Sequence, residues 1–355
     1  MAMRITDRLA GALTGAALLL SGTALSGPAV AGPAAPTLEI SGAGSTFAAP
    51  LIDAWIKARA KAEPNVGLRY SPVGSGEGIR SLLAQRVDFA ASDRPLTKDE
   101  AARAQGGAVE VPVTAGMVVV GYNLPGIAAP LRLGRKTLAA IFAGTVREWN
   151  DPKIAADNPG VALPARTIAL VTRREGSGTT HAFTAHLAAA TPGWTQDERN
   201  AGDQVDWPKG TMAVFGNEGV ASRIAMTEYS VGYLEYGFAR RLGLATALLQ
   251  NRSGAFVAAT AQSGAAALSE SAAGPSQDSA RSLRDPAGAS AYPIVTFTWM
   301  VFPGQQRRAE TAAALHSFVT FGLSADGQAQ GAGIGYVPLP AEVVQRAEAA
   351  LQGVR

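Results

Sequence analysis

Three short loops in this chain share one pattern: GAGSTF (residues 42–47), GSGEG (74–78) and GSGTT (176–180). Each lies where an apolar, β-branched run ends and a helical period begins. A chain assembled from repeated strand, glycine turn and helix is confined to architectures in which helices cover a sheet. The loops also carry chemistry. A helix start leaves backbone N–H groups unpaired and bears partial positive charge. Glycine lets an anion approach that backbone, and a Ser or Thr hydroxyl adds a donor. A single loop of this kind reads equally well as an N-cap and tight turn. Three together, with Arg173 beside the third, point to a small oxyanion site.

The periodicity predicts strands at TLEI, VGLRYSPV, VDFAAS, VEVPV, GMVVVGYN, TIALVTR, SVGYLEY and YPIVTFTWMVF. FAAPLIDAWIKARAKAE reads as a helix with Leu51, Trp55 and Ile56 on one face and Pro50 in its first turn. Thr97 and Glu100 have capping-box spacing ahead of another helix. The alternation predicts an α/β fold with mainly parallel pairing, whose ligand site lies at the carboxyl ends of strands. DPKIAADNPGVALP is broken up by Pro and Gly, and residues 259–293 read as partly helical and then as an exposed, variable loop. With 355 residues, 47% of them hydrophobic, the chain can form two lobes with separate cores.

The first residues read as an export signal. Arg4 and Arg8 precede the short apolar run Leu9–Leu20, and Ala29-Val30-Ala31 fits a cleavage site, so residues 1–31 are expected to be removed. There is no cysteine, hence no disulfide, no thiolate metal site and no lipidated N-terminal cysteine. The expected location is a periplasm, or outside the cell. Lys and Arg are scattered and the net charge is only +3, which does not point to nucleic acid.

Sharper templates fail. The loops lack the last glycine of a dinucleotide fingerprint, no Gly-Lys pair exists for a phosphate-binding P-loop, and no serine sits in G-x-S-x-G. His181, His186 and His316 are the only histidines, and their spacing suits helix-surface or partly buried positions better than metal ligation. No metal and no cofactor is expected. Asp93 ends the strand VDFAAS. Beside an anion a carboxylate is repulsive unless the ligand carries a proton to donate, as hydrogen phosphate does and sulfate does not. Asp93 reads equally as a strand-end turn residue or as a partner of Arg94 or Arg173.

SGAGSTFAAPLIDAW, GSGEGI, VDFAASDRPL, GRKTLAAIFAGTVREWNDPKIAADNPGVALP, RREGSGTT, GNEGVASRI, VGYLEYGFA, YPIVTFTWMVF and YVPLPAEVVQ follow one another in the order of a known family. Over essentially the whole mature length the chain resembles the phosphate-binding proteins of high-affinity phosphate ABC transporters. The resemblance implies a two-lobed periplasmic-binding-protein fold of type II, each lobe a mixed sheet flanked by helices, with phosphate in the interlobe cleft. It implies one lobe from residues 33–114 and 293–355, the other from 115–292, and two hinge crossings. It also implies phosphate ligation by Thr46, Phe47 (through its backbone N–H), Ser75, Arg173, Ser177, Gly178 and Thr179, with Asp93 accepting the ligand's proton. Glu175 would orient Arg173. Ser45 would line the site, Glu77 would point away from it, and Arg174 is a second candidate cation. The partners implied are phosphate and the permease subunits of an inner-membrane ABC transporter; the receptor would be a monomer and not an enzyme. A phosphatase using Ser45 or Ser177, a sulfate, molybdate or tungstate receptor, and a secreted scavenger without a permease are the competing readings.

Overall fold

The computed structural model describes residues 37–127, 130–194, 202–270 and 283–355. The expected signal segment and its cleavage site lie outside the described residues. Strand β1 (Leu38–Gly44) pairs in parallel with β2 (Val66–Ser71) and β3 (Phe89–Ser92). Helix α1 (Ala49–Ala62) connects the first two strands and α2 (Ser75–Leu83) connects β2 to β3. In α1 the buried face is Leu51, Ile52 and Trp55, with Pro50 in the first turn as expected. Helix α3 (Lys98–Arg103) opens on the predicted capping box, with Glu100 N donating to Thr97 Oγ1 at 3.2 Å and Thr97 N to Glu100 Oε2 at 2.9 Å.

VEVPV and GMVVVGYN, read as two strands, form one, β4 (Ala108–Asn123). Its first part, Ala108–Met117, pairs antiparallel with β12 (Val295–Pro303), and its last part, Val118–Asn123, pairs antiparallel with β8 (Ser230–Glu235). Pro112 does not break β4, because it sits at a bulge: Thr298 and Trp299 of β12 face Thr114 and Pro112, which leaves Val113 as the extra residue on β4. The strand order is β2-β1-β3-β12-β4-β8-β6-β7, with β6 at Ala169–Arg173, β7 at Met212–Val214 and the short β9 (Ala245–Thr246) also on β4. Parallel pairing holds within each half, around β1 and around β6, whereas β4 and β12 run antiparallel to their neighbours. The expectation of mainly parallel pairing is thus corrected to a mixed sheet.

The second half carries α4 (Arg135–Phe142), α5 (Pro152–Asp157), α6 (Gly178–Ala190), α7 (Gly216–Met226) and α8 (Tyr236–Arg241). Helix α5 arises inside DPKIAADNPGVALP, where no element was expected: Asp151 caps it and Pro152 occupies its first position. A small sheet joins β5 (Arg132–Leu133), β10 (Leu248–Gln250) and β11 (Phe256–Val257). Helix α9 (Ala261–Ser269) follows, and the chain returns beside β4, where Val118 N donates to Ile294 O at 2.9 Å. The expected exposed loop is only partly such. Residues 271–282 lie outside the described residues, but beyond them Leu283, Ala291 and Tyr292 are buried. Asp285 is held there by two 2.7 Å contacts from Arg135. His186, expected near the surface, is fully buried and bonds Arg284 O through Nδ1 at 2.8 Å.

Each half has an aromatic cluster. Phe89 meets Phe302 and Phe318, and Trp55 meets Phe318, all at 6.3 Å between centroids. Phe142, Phe183 and Tyr233 pack together in the other half at 4.5–5.9 Å between centroids. Phe318 lies on α10 (Ala309–Leu323), which leads into α11 (Ala325–Ile334) and, after Pro340, α12 (Ala341–Leu351). Trp55 is fully buried and its Nε1 donates to Gly327 O at 3.0 Å. Trp55→Ala is therefore expected to lower unfolding free energy by about 3–5 kcal/mol, and Trp55→Phe, which removes that hydrogen bond, by about 0.5–1.5 kcal/mol. Urea denaturation followed by circular dichroism checks both values.

Candidate functional site

Five chain segments meet where the halves of the sheet face each other. The first half supplies the β1–α1 turn, the start of α2 and the end of β3. The other half supplies the β6–α6 turn and the start of α7. Backbone and side chains touch across the junction: Gly76 N donates to Gly176 O at 3.0 Å, and Gly178 N donates to Ser75 Oγ at 3.2 Å. Gly178 is required by this approach. A Cβ there would lie 2.5 Å from Ser75 Oγ and 2.7 Å from Asp93 Cβ.

Asp93 is 2% exposed. Its Oδ1 accepts from Ser45 Oγ at 2.6 Å and from Thr298 Oγ1 at 2.7 Å, while Ser75 Oγ stands 3.5 Å from Oδ2. Burial pushes the carboxyl up to about 6, against the opposing pull of the Ser45 and Thr298 hydroxyls and the Arg173 charge. Of the partners considered for Asp93, Arg94 is removed: its guanidinium turns to Glu100 and Asp203 instead.

Arg173 is also buried and lies opposite. Its Nη2 donates to Thr46 Oγ1 at 2.9 Å, and its Nη1 donates to Thr179 Oγ1 at 3.1 Å. Glu175 accepts from Arg173 Nε at 2.7 Å, makes a second contact with Nη2, and accepts from Gly216 N at 3.0 Å. Glu175 thus orients the guanidinium, as the resemblance implied. Arg174 is exposed and leaves this cluster; its guanidinium carbon sits 5.8 Å from the Phe215 ring centroid.

Ser177 caps α6, accepting from Thr180 N at 3.1 Å, which leaves its hydroxyl hydrogen available to donate. Phe47 packs its ring edge-on against Tyr336, and its carbonyl accepts from Tyr336 OH at 2.5 Å. Ser45 does not offer the extra free donor that sequence suggested, because its hydroxyl is given to Asp93 while it accepts from Ala48 N at 3.1 Å. Glu77 does point outward, to Arg80 and Arg86 at 2.9 Å each.

Ser75 and Asp93 thus belong to one bonded set and Thr46, Arg173 and Thr179 to a second beside it in the same cluster, with Phe47, Ser177 and Gly178 at its helix starts. Two of its members escaped sequence reading. Thr298, with Thr296 bonding Asp93 O at 3.0 Å, lies on β12. The signal was two polar residues at period two inside an otherwise apolar strand. Asn217 opens α7; its Nδ2 donates to Thr46 Oγ1 at 3.1 Å and Thr179 Oγ1 at 3.2 Å, and its Oδ1 accepts from Glu235 N at 2.9 Å. GNEGVA is a fourth strand–glycine–helix start, and its Asn takes the place that Ser or Thr holds in the other three.

A groove of about 490 Å³ lined by Thr46, Gly216 and Asn217 lies beside the cluster. A larger cavity of about 700 Å³ between Gly144, Arg147 and Lys209 includes none of these residues. Among the described residues no group of three or more His, Asp or Glu side chains could hold a metal ion, and no helix is long and apolar enough to cross a membrane. The cluster can surround a small oxyanion with hydroxyl, amide and guanidinium donors and offer one carboxylate as acceptor.

The model of the PBP superfamily domain matches residues 29–326. The phosphate-binding protein PstS of Pasteurella multocida is 34% identical over 311 residues, spanning 87% of this chain and 89% of that one. The phosphate-binding protein PstS of Xylella fastidiosa (strain Temecula1) is 36% identical over 314 residues, spanning 88% and 85%. Among solved structures, the phosphate-bound high-affinity periplasmic phosphate-binding protein PfluDING shares the fold with a TM-score of 0.70, at 22% identity, over 88% of this chain and 93% of that one. The chain belongs to the PBP superfamily and, within it, to the family of phosphate-binding proteins PstS.

Proposed function

We propose that this chain is an exported transport receptor that captures inorganic phosphate between two lobes and hands it to an ABC permease. The observation that carries this reading is a buried carboxylate, Asp93, set among converging donors, with Arg173 on the facing side. An anion site normally excludes a carboxylate. One that keeps it is suited to an anion that still bears hydrogen.

The division of labour follows from the hydrogen bonds. Asp93 Oδ1 is saturated by Ser45 and Thr298, so Oδ2 is the atom that accepts the ligand's proton. Thr46, Ser75, Ser177 and Thr179 donate hydroxyls, while Phe47 and Gly178 donate backbone N–H groups at helix starts. The Arg173 guanidinium, held by Glu175, turns from Thr46 and Thr179 to the anion. Each charge-assisted bond contributes about 1.5–3 kcal/mol net, so these donors suffice for tight binding without further cations. Asn217 positions the Thr46 and Thr179 hydroxyls.

The lobes are residues 33–114 with 293–355, and 115–292. The change of β4 partner between Met117 and Val118, and the return of the chain at Ile294, support hinges at these two crossings. Residues 1–31 act as a cleaved signal peptide, and the receptor works as a periplasmic monomer.

Selectivity should depend on the Asp93 proton. Its carboxyl is raised to about 6. It is therefore ionised at pH 8, where it repels sulfate, and largely protonated at pH 5, where it can donate to sulfate. Calorimetric titration should show the preference for phosphate over sulfate falling at least tenfold between pH 8 and pH 5. In Asp93→Asn that preference should be weak at both pH values. A preference that is unchanged by pH and by the substitution would remove the proton-acceptor role.

The two adjacent arginines separate as well. Arg173→Ala should weaken phosphate about 100-fold or more, by the loss of two charge-assisted bonds. Arg174→Ala should change it less than about twofold, since an exposed cation over an aromatic ring is a weak contributor. Titration of both variants with phosphate checks the ranking, and the reverse order would move the ligand role to Arg174.

A further inference from the structure

Arg94 follows Asp93 directly, yet its side chain takes no part in the hydroxyl cluster. Its guanidinium clasps Glu100 with two bonds, Nη1 to Oε2 at 2.8 Å and Nη2 to Oε1 at 2.7 Å, and Nη1 also donates to Pro95 O at 3.0 Å. Glu100 is itself fixed by the capping box with Thr97. These partners all belong to the first half. Its Nε crosses to the other half to reach Asp203 Oδ2 at 3.1 Å. Asp203 is tied to the candidate site through its backbone, since its carbonyl accepts from Ser177 N at 2.9 Å. Its carboxylate also lies against the glycine crossing, with Oδ2 3.3 Å from where a Cβ on Gly76 would stand.

We propose that Arg94 and Asp203 form a latch across the cleft that holds the receptor closed and sets the rate of phosphate release without touching the anion. This rests on the receptor reading above, in which the lobes close on phosphate. Two features separate this pair from an ordinary surface ion pair, whose contribution is near zero. The Arg94 side chain is only 10% exposed and Asp203 27% exposed, so water screens the pair weakly. The guanidinium is also immobilised in advance by Glu100, so closing costs little side-chain entropy on that side. The flanking charges favour the pairing. His181 faces both groups, and burial, then the Arg94 and Arg284 charges, push it down to about 4 against the pull of Asp203. It stays neutral at pH 7 and does not compete with Arg94 for the carboxylate. A contact present only in the closed state stabilises that state alone, and so acts on dissociation.

The test uses the mature chain and inorganic phosphate, with release rates from stopped-flow displacement and affinities from calorimetry. Asp203→Ala leaves Arg94 paired with Glu100 and should raise the release rate about tenfold while changing the association rate less than about twofold. Asp203→Asn, which keeps the acceptor but not the charge, should fall between. Adding Arg94→Gln to Asp203→Ala should produce no further acceleration, because the two residues act as one unit. The melting temperature of the phosphate-free protein should be the same for Asp203→Ala and the parent. Release at the parental rate in both Asp203 variants, or additive effects in the double variant, overturns the latch while leaving the receptor reading intact. A parent chain that does not bind phosphate overturns both.

Discussion

The structure of the site depends on keeping a carboxylate dry. Asp93 has lost its water, and burial alone would drive it to the neutral form. Two hydroxyls, from Ser45 and Thr298, restore part of the lost solvation at one oxygen and leave the other oxygen facing the converging helix starts. The neighbourhood follows from that requirement. β1 must end beside β3 so that Ser45 can reach Asp93. β12 must lie on the other side of β3 so that Thr298 can do the same. Gly44 accommodates the first approach, because at φ +139° a side chain would be strained and a Cβ would stand 2.1 Å from Ala91 O.

The mixed sheet joins the two halves through one strand. β4 pairs with β12 in one half and with β8 in the other, so a single continuous strand carries the chain from the Asp93 side to the Arg173 side. At the site, the contacts between the halves are polar: a glycine N–H, a serine hydroxyl, two guanidinium groups and an asparagine amide. A polar junction separates and re-forms more readily than an apolar one, because its groups can exchange protein partners for water. The aromatic clusters around Phe89 and Phe183 stay away from it, each within its own half.

Much of this was legible in the residues, for identifiable reasons. The three glycine–hydroxyl loops announced helix starts, and all three converge. Capping chemistry at Thr97 and Glu100 is local, so spacing sufficed to find it. What escaped depends on strands meeting across the fold. Thr298 lies 205 positions from Asp93 in the chain, and nothing near either residue indicates the partnership. The union of VEVPV and GMVVVGYN into one strand depends on a bulge at Val113, beside Pro112, that forms only against β12, a strand far away in the chain. The burial of His186 depends on Arg284 and Asp285, brought over it by a segment whose composition suggested an exposed loop. Asn217 was missed for a narrower reason: an amide was not counted among the side chains that open an anion-binding helix.

Charges around the cluster are partly offset by their neighbours. Glu235, at the end of β8, is buried and pushed up to about 8, chiefly by burial and in part by Asp93, so it is mostly neutral at pH 7. Its carboxyl accepts from Gly237 N at 2.7 Å and Phe238 N at 3.2 Å, capping α8, a role that does not need the charge. Were it ionised, a second carboxylate near Asp93 would raise Asp93 further and deprive it of the acceptor state. Glu175 offsets Arg173 without removing it as a donor, because the guanidinium still directs Nη1 and Nη2 at Thr179 and Thr46. In the proposed receptor, the charge of an arriving anion is thus met mainly by dipoles, the hydroxyls and helix starts. Dipoles fixed by the fold stabilise the anion without the strong, non-selective attraction that several free cations would exert on any anion. In the proposed receptor, discrimination then falls to Asp93, whose preference reverses with the loss of a proton.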